Sequence, residues 1–118
     1  MREPHHPSRR ELELSSVLHA LSDPARLDIV RRLADGDETA CGIFDLGLSK
    51  ATLSHHFRVL REAGIIRQYY EGTSRMSRLR TEDLETRMPG LLGAVLNAAL
   101  LAEREDEAAV PAPSDGGR

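Results

Sequence analysis

One cysteine, one lysine and no tryptophan occur among 118 residues, and no apolar run approaches the roughly 18–20 residues that span a bilayer. A single thiol excludes an internal disulfide and a multi-thiol zinc site within one chain. The first ten residues, MREPHHPSRR, contain no apolar stretch of the secretory kind, so a cytoplasmic protein with no membrane partner is expected. No glycine-rich phosphate loop, no nucleophile with a partner at recognisable spacing and no metal-ligand cluster is found. Those absences argue against an enzyme and leave no cofactor or metal to assign. What remains is ordinary for a small globular protein: 40% apolar and 30% charged residues, in a length that suits one domain. The net charge of −3, taken whole, argues mildly against nucleic acid.

That total conceals an uneven distribution. Residues 1–48 carry six arginines against nine acids, and residues 81–118 three arginines against eight. Between them Lys50, Arg58, Arg61, Arg67, Arg75, Arg78 and Arg80 stand against Glu62 and Glu71, so residues 49–80 sum to +5. A polyanion responds to such a local field more than to the total. A solvated charged face has the same composition, so the arrangement of the block decides.

Residues 1–10 are polar and contain proline, which reads as a flexible N-terminal arm. Leu12, Leu14, Val17, Leu18 and Leu21 recur at helical spacing and predict a helix near residues 9–21. Ser22-Asp23-Pro24 is a stop-and-restart signal, with Asp23 able to accept from orphan N–H groups and Pro24 suited to the first helical position. The next helix, ending at Asp35-Gly36, places Leu27, Val30, Leu33 and Ala34 inward with Ile29 at the flank. A short third helix is expected near residues 39–46, anchored by Ile43 and Leu46. Gly47 breaks it, and Ser49 is the N-cap of a helix running to Ala63, ended by Gly64 in the left-handed region.

Ile65-Ile66-Arg67-Gln68-Tyr69-Tyr70 favours a strand, Glu71-Gly72-Thr73-Ser74 a turn, and Arg75–Arg80 the returning strand. A helical start recurs at Thr81, Pro89-Gly90 interrupts it, and Leu91, Leu92, Val95, Leu96, Ala99 and Leu100 form the apolar face of a last helix. The expected organisation is a mainly α domain over residues 11–104 with a two-stranded β-wing, followed by a disordered acidic tail over 105–118.

A short helix, a glycine-containing turn and a second helix match the helix-turn-helix unit. At about 100° per residue, Leu53, Phe57 and Leu60 share one stripe, with His56 at its edge as a histidine whose ring nitrogen is satisfied. Ser49, Lys50, Ala51, Thr52, Ser54, His55 and Arg58 fall on the exposed first turn and the opposite side. Small, hydrogen-bonding and basic groups of this kind suit base edges and phosphates in a major groove. Arg75 and Arg78, just past the glycine turn, can place cations on the neighbouring backbone or in the minor groove. His55 and His56 point about 100° apart and cannot chelate one ion. Each element alone is an ordinary surface feature; a helix-turn-helix followed directly by a basic hairpin is far more specific.

Ala20-Leu21-Ser22-Asp23-Pro24-Ala25-Arg26-Leu27-Asp28-Ile29-Val30 and the run from Ser49 to Ile66, with its Ser54-His55-His56 and Val59-Leu60-Arg61-Glu62-Ala63-Gly64, resemble the ArsR family of bacterial winged-helix repressors. The resemblance covers roughly residues 12–100. It implies a homodimer built from the first and last helices, two recognition helices on a palindromic operator in double-stranded DNA, and contacts from Lys50, Thr52, Ser54, His55, Arg58 and the wing arginines. Metal-sensing members carry two close cysteines before an Asp-Leu pair. Anchored on Asp45-Leu46, those positions hold Gly42 and Phe44, and Cys41 lies one position off. Residues 82–104 contain no histidine of the kind that supplies the other known ligand set.

Leu14, Val17, Leu18, Leu91, Leu92, Val95, Leu96 and Leu100 exceed what a small three-helix core can obviously use, so some are expected to bury against a second subunit. The leading expectation is a dimeric, sequence-specific repressor of its own or neighbouring genes, released by a signal that is not a metal; a small-molecule effector and no ligand at all stay open. The alternatives are a winged-helix protein-interaction module without DNA, and a metal or redox sensor using Cys41, with His5 and His6 able in principle to join it across a dimer.

Overall fold

The computed structural model describes residues 3–36, 38–40 and 47–109. A 3₁₀ turn over Arg9–Glu11 leads into α1 (Leu14–Leu21), α2 (Pro24–Gly36), β1 (Glu38–Ala40), α3 (Lys50–Glu62), β2 (Ile66–Glu71), β3 (Ser74–Leu79), α4 (Thr81–Arg87) and α5 (Leu91–Ala109). Asp23 caps α2, its Oδ1 accepting from the backbone N–H of Ala25 at 2.8 Å and of Arg26 at 3.3 Å. Burial alone would raise the Asp23 carboxyl, but these N–H groups outweigh it and hold the group below its ordinary value. Pro24 begins the helix where its missing N–H costs nothing.

The core gathers Val17, Ala20 and Leu21 of α1, Ile29, Val30 and Leu33 of α2, and Phe57 and Leu60 of α3. Ile65 and Ile66 close it from the sheet side, and Leu84, Met88 and Leu92 from the C-terminal helices. Ile29 is fully buried and Ala34 exposed, so the inward face of α2 is rotated from the sequence expectation. Arg26, one turn before Val30, is buried on the same face against the end of α1.

The sheet has the order β1-β3-β2, antiparallel throughout. The hairpin pairs Glu71 with Ser74 and Ile66 with Leu79 across Gly72-Thr73, with Gly72 at φ +64°. Residues 38–40, expected to begin a helix, instead form β1 and pair with β3 from Glu38 opposite Arg78 to Ala40 opposite Met76. β3 has an open edge there, and a short strand satisfies its backbone groups. The remainder of that expected helix, residues 41–46 with Cys41, Ile43 and Leu46, lies outside the described residues.

Two boundary expectations change. The helix expected over 9–21 is divided by an extended step at Leu12, which sinks to 1% exposure in the core. The segment read as a flexible arm is docked over residues 3–10. His6 Nε2 accepts from the Gln68 N–H on the outer edge of β2 (2.9 Å), Arg80 donates to the Pro7 carbonyl (2.7 Å), and Arg9 pairs with Asp83 (2.6 Å). At the other end α5 runs to Ala109 and takes in the first five residues of the expected tail. Alanine and glutamate there are strong helix formers, and Glu103 on the same helix pairs with Arg31 of α2 at 3.4 Å.

Candidate nucleic-acid interface

α3 is fixed at both ends by local chemistry. The Ser49 hydroxyl accepts from the Thr52 N–H (3.1 Å) and donates to Thr52 Oγ1 (2.9 Å). At the far end the Gly64 N–H donates to the Arg61 carbonyl and the Ile65 N–H to the Leu60 carbonyl, both at 3.0 Å. These two bonds are the Schellman pattern, which needs a residue at positive φ; Gly64 supplies it at +85°. A Cβ on Gly64 would also run into the buried Leu12 side chain, so this glycine is required by space as well as by backbone.

Phe57 and Leu60 face the core, with Leu53 half-buried beside them. His56 is 8% exposed and its Nδ1 lies 3.2 Å from a terminal nitrogen of Arg26. A guanidinium can only donate, so Nδ1 accepts and the ring proton sits on Nε2. Arg26 also donates to the Ala20 carbonyl at 2.7 Å, binding the end of α1 and the middle of α3 to the start of α2. The sequence reading places His56 at this edge but does not identify Arg26 as its partner.

On the other side Ser49, Lys50, Ala51, Thr52, Ser54, His55 and Arg58 are all exposed. His55 Nδ1 lies 3.1 Å from an Arg58 terminal nitrogen, so the two form one hydrogen-bonded pair on the outer face. Ser49 and Thr52 are partly occupied by the cap. Lys50, Ser54, His55 and Arg58 form a polar, basic surface without a carboxylate, one helix wide.

The wing arginines separate. Arg75 and Arg78 are three residues apart on β3 and project to opposite faces of the hairpin. Arg78 is exposed and lies across from Arg67 of β2. Arg75 turns toward α3, its guanidinium carbon 5.6 Å above the Tyr70 ring. There it lines a cavity of about 130 Å³ between α3 and the wing, together with Lys50, Ser54, Arg61 and Gln68 over a floor of Leu53 and Phe57. Arg61 donates to Gln68 Oε1 at 2.8 Å. Burial and then the neighbouring charge of Arg75 push its guanidinium below the ordinary value; Glu62 opposes them, and Arg58 adds the least. Arg61 belongs to the basic block, but only its spacing from Gln68 and Arg75 in the fold reveals this place.

The rest of the basic block is largely spent: Arg67 pairs with Glu3 at 3.5 Å, and Arg80 with Asp83 at 2.9 Å. Lys50, Arg58 and Arg75 have no acidic partner among the described residues. Among the described residues no three His, Cys, Asp or Glu side chains gather in a metal-binding group. His6 is committed to β2, and Cys41 lies outside those residues.

Of the apolar residues expected at a subunit interface, Val17 and Leu92 are buried within the chain itself, at 1% and 7% exposure. Leu91, Val95 and Leu96 are half-buried, whereas Leu14, Leu18 and Leu100 remain exposed. Leu101, not singled out from the sequence, is more open still at 57%.

A helical core presenting one capped helix beside an antiparallel hairpin defines a winged-helix protein. The residue pattern described as "Bacterial regulatory protein, arsR family" matches residues 23–68. The HTH-type transcriptional regulator YceK of Bacillus subtilis is 36% identical over 83 residues, covering 66% of this chain and 81% of that protein. The arsenical resistance operon repressor of Staphylococcus xylosus is 36% identical over 74 residues, 62% of this chain and 71% of the relative. Among solved structures, the transcriptional repressor BigR from Xylella fastidiosa superposes with a TM-score of 0.57 at 30% identity, covering 72% of this chain and 84% of that one. The chain belongs to the arsR family of bacterial regulatory proteins, which makes it a transcriptional regulator and not an enzyme. No helix among the described residues is long and apolar enough to cross a membrane.

Proposed function

We propose that this chain is a homodimeric, sequence-specific DNA-binding repressor that reads a palindromic operator with α3. The observation that carries the proposal is the outer face of α3, where Lys50, Ser54, His55 and Arg58 are exposed together and no acid interrupts them. Arginine and lysine there can pair with guanine edges or phosphates, while Ala51 and Ser54 are small enough to let the helix approach the bases. The capped ends of α3 and the Arg26–His56 contact hold that face at a fixed angle to the core. Exposed Leu14 and Leu18 on α1 and Leu100 and Leu101 on α5 supply the apolar surface for a second copy. A two-fold axis through them would set two recognition helices about one DNA turn, roughly 34 Å, apart. Relatives that are named as repressors support the direction of regulation.

Fluorescence anisotropy with a duplex taken from upstream of the chain's own gene, against a scrambled duplex of the same composition, tests this reading. The proposal expects tighter binding to the upstream duplex, two chains per site and a steep fall in affinity with salt. Equal affinity for the two duplexes at every salt concentration would overturn it in favour of a protein-interaction module.

A further inference from the structure

We propose that the cleft between α3 and the wing is an oxyanion site, sized for one tetrahedral group such as a phosphate and held by Arg61, Arg75 and Lys50. It rests on the DNA-binding reading only for one of two sources of that phosphate, the DNA backbone; the other is a free oxyanion.

The cleft brings three cations to a cavity of about 130 Å³ with no carboxylate among the described residues of its lining. Like charges forced together in a partly dry space repel unless an anion joins them. Glu62, the acid whose field reaches Arg61, lies outside the lining. Among the described residues neither Arg61 nor Arg75 forms an ion pair, and the Nε–H of each is shielded from water with no described acceptor in reach. A group that brings its own negative charge is what this arrangement lacks.

The two guanidinium groups are also held in place. Arg61 is anchored through Gln68, itself 1% exposed, and Arg75 rests on Tyr70. Planar guanidinium forks pre-set in this way suit a tetrahedral oxyanion better than mobile ammonium groups do. Leu53 and Phe57 beneath them keep the local dielectric low, which strengthens the attraction. Lys50 and Ser54, exposed, carry the site out to the reading face, so a phosphate bound here would lie between α3 and the wing and tie the two to one ligand. The volume matches a single oxyanion group, and that group is what the cations recognise.

The test follows the Nε–Hε NMR signals of Arg61 and Arg75 in the full chain during titration with inorganic phosphate and, separately, with a short DNA duplex of fixed sequence. Arg75→Met is compared throughout, and its amide spectrum outside the wing reports whether it folds; Arg75→Lys keeps the charge and serves as a second variant. Saturable shifts of both signals with inorganic phosphate, with the Arg61 shift lost in Arg75→Met, support the site. If the duplex moves the same signals, the DNA backbone is the source, and Arg75→Met lowers the salt slope of duplex binding by about 0.9. That slope means wild type loses about 3.5-fold more affinity than the variant between 50 and 200 mM salt. If phosphate moves them and the duplex binds without doing so, the ligand is a free oxyanion. If phosphate moves them and no duplex binds, the site stands and the DNA-binding reading fails. Signals that respond to neither probe overturn the site, whether or not the duplex binds.

Discussion

Replacing Arg26 with methionine tests how α3 is held. Arg26 is 7% exposed, and its guanidinium donates to the Ala20 carbonyl at 2.7 Å, to the His19 carbonyl at 3.4 Å and to His56 Nδ1 at 3.2 Å. Methionine keeps the aliphatic stem and removes every donor. The short bond to Ala20 involves a charged group and contributes about 1.5–3 kcal/mol, and its carbonyl, at the end of α1, would be left in the core without a partner. The longer contact to His19 adds little. Losing the His56 bond costs about 1 kcal/mol more. Relief from burying a guanidinium offsets part of this. The net expectation is a loss of about 2–4 kcal/mol, or roughly 8–16 °C in Tm for a domain of this size. Thermal and urea denaturation at one fixed protein concentration measure it, because a dimer's Tm shifts with concentration. Arg26→Lys should fall between the two, since an ammonium cannot span acceptors on α1 and α3 at once. A loss below about 0.5 kcal/mol in Arg26→Met would refute the claim that this side chain ties the three helices together.

Three further outcomes follow from the same geometry. Gly64→Ala should cost about 2–5 kcal/mol in denaturant unfolding, from positive φ at about 1–2 kcal/mol and displacement of buried Leu12 at about 1–3 kcal/mol; a neutral variant would mean that the Leu12 contact is not maintained in solution. Burial, then Arg67, Arg61 and Arg80, lower the His6 pKa, so the docked strap favours the neutral ring. Unfolded His6 then binds the proton more readily, and docking is complete above the ordinary value of 6.5 and lost as pH falls below it. The protection factor of the Gln68 amide, its exchange rate taken relative to the unstructured rate at the same pH, should fall over that range in wild type but show no such step in His6→Ala; a pH-independent protection factor in wild type would contradict the bond. Leu14→Glu with Leu18→Glu should abolish the proposed dimer in sedimentation while changing the stability of the single chain by less than about 0.5 kcal/mol for each exposed site. A double variant that remains dimeric would remove α1 from the interface.

The sequence defines α3 and the hairpin closely because their signals are local. Ser49 caps its own helix, Gly64 adopts a conformation that few other residues enter, and Gly72 turns the wing. The exposed face of α3 is legible for the same reason, since helical periodicity alone separates Phe57 and Leu60 from His55 and Arg58. What periodicity misses depends on distant partners. Leu12 reads as one more helical leucine, yet it leaves the helix to fill the space above Gly64. Residues 38–40 have no strong strand signature and become one because β3 offers an open edge. Arg26, Arg61 and Arg75 are three arginines among fifteen, and only the fold shows that one closes the core and two flank a cleft. Val17 and Leu92 share the spacing of their exposed neighbours, so the distinction between core and interface appears only once the helices are packed.

The central claim is that the outer face of α3 reads base edges. It is tested most directly by the ratio of affinities for the upstream duplex and its scrambled counterpart, measured for wild type, His55→Ala and Arg58→Ala at one salt concentration. If Arg58 contacts a base, its removal should reduce that ratio by about 1–3 kcal/mol, roughly 5- to 150-fold, with a much smaller change on the scrambled duplex. An unchanged ratio in both variants, with both still folded, would contradict the account.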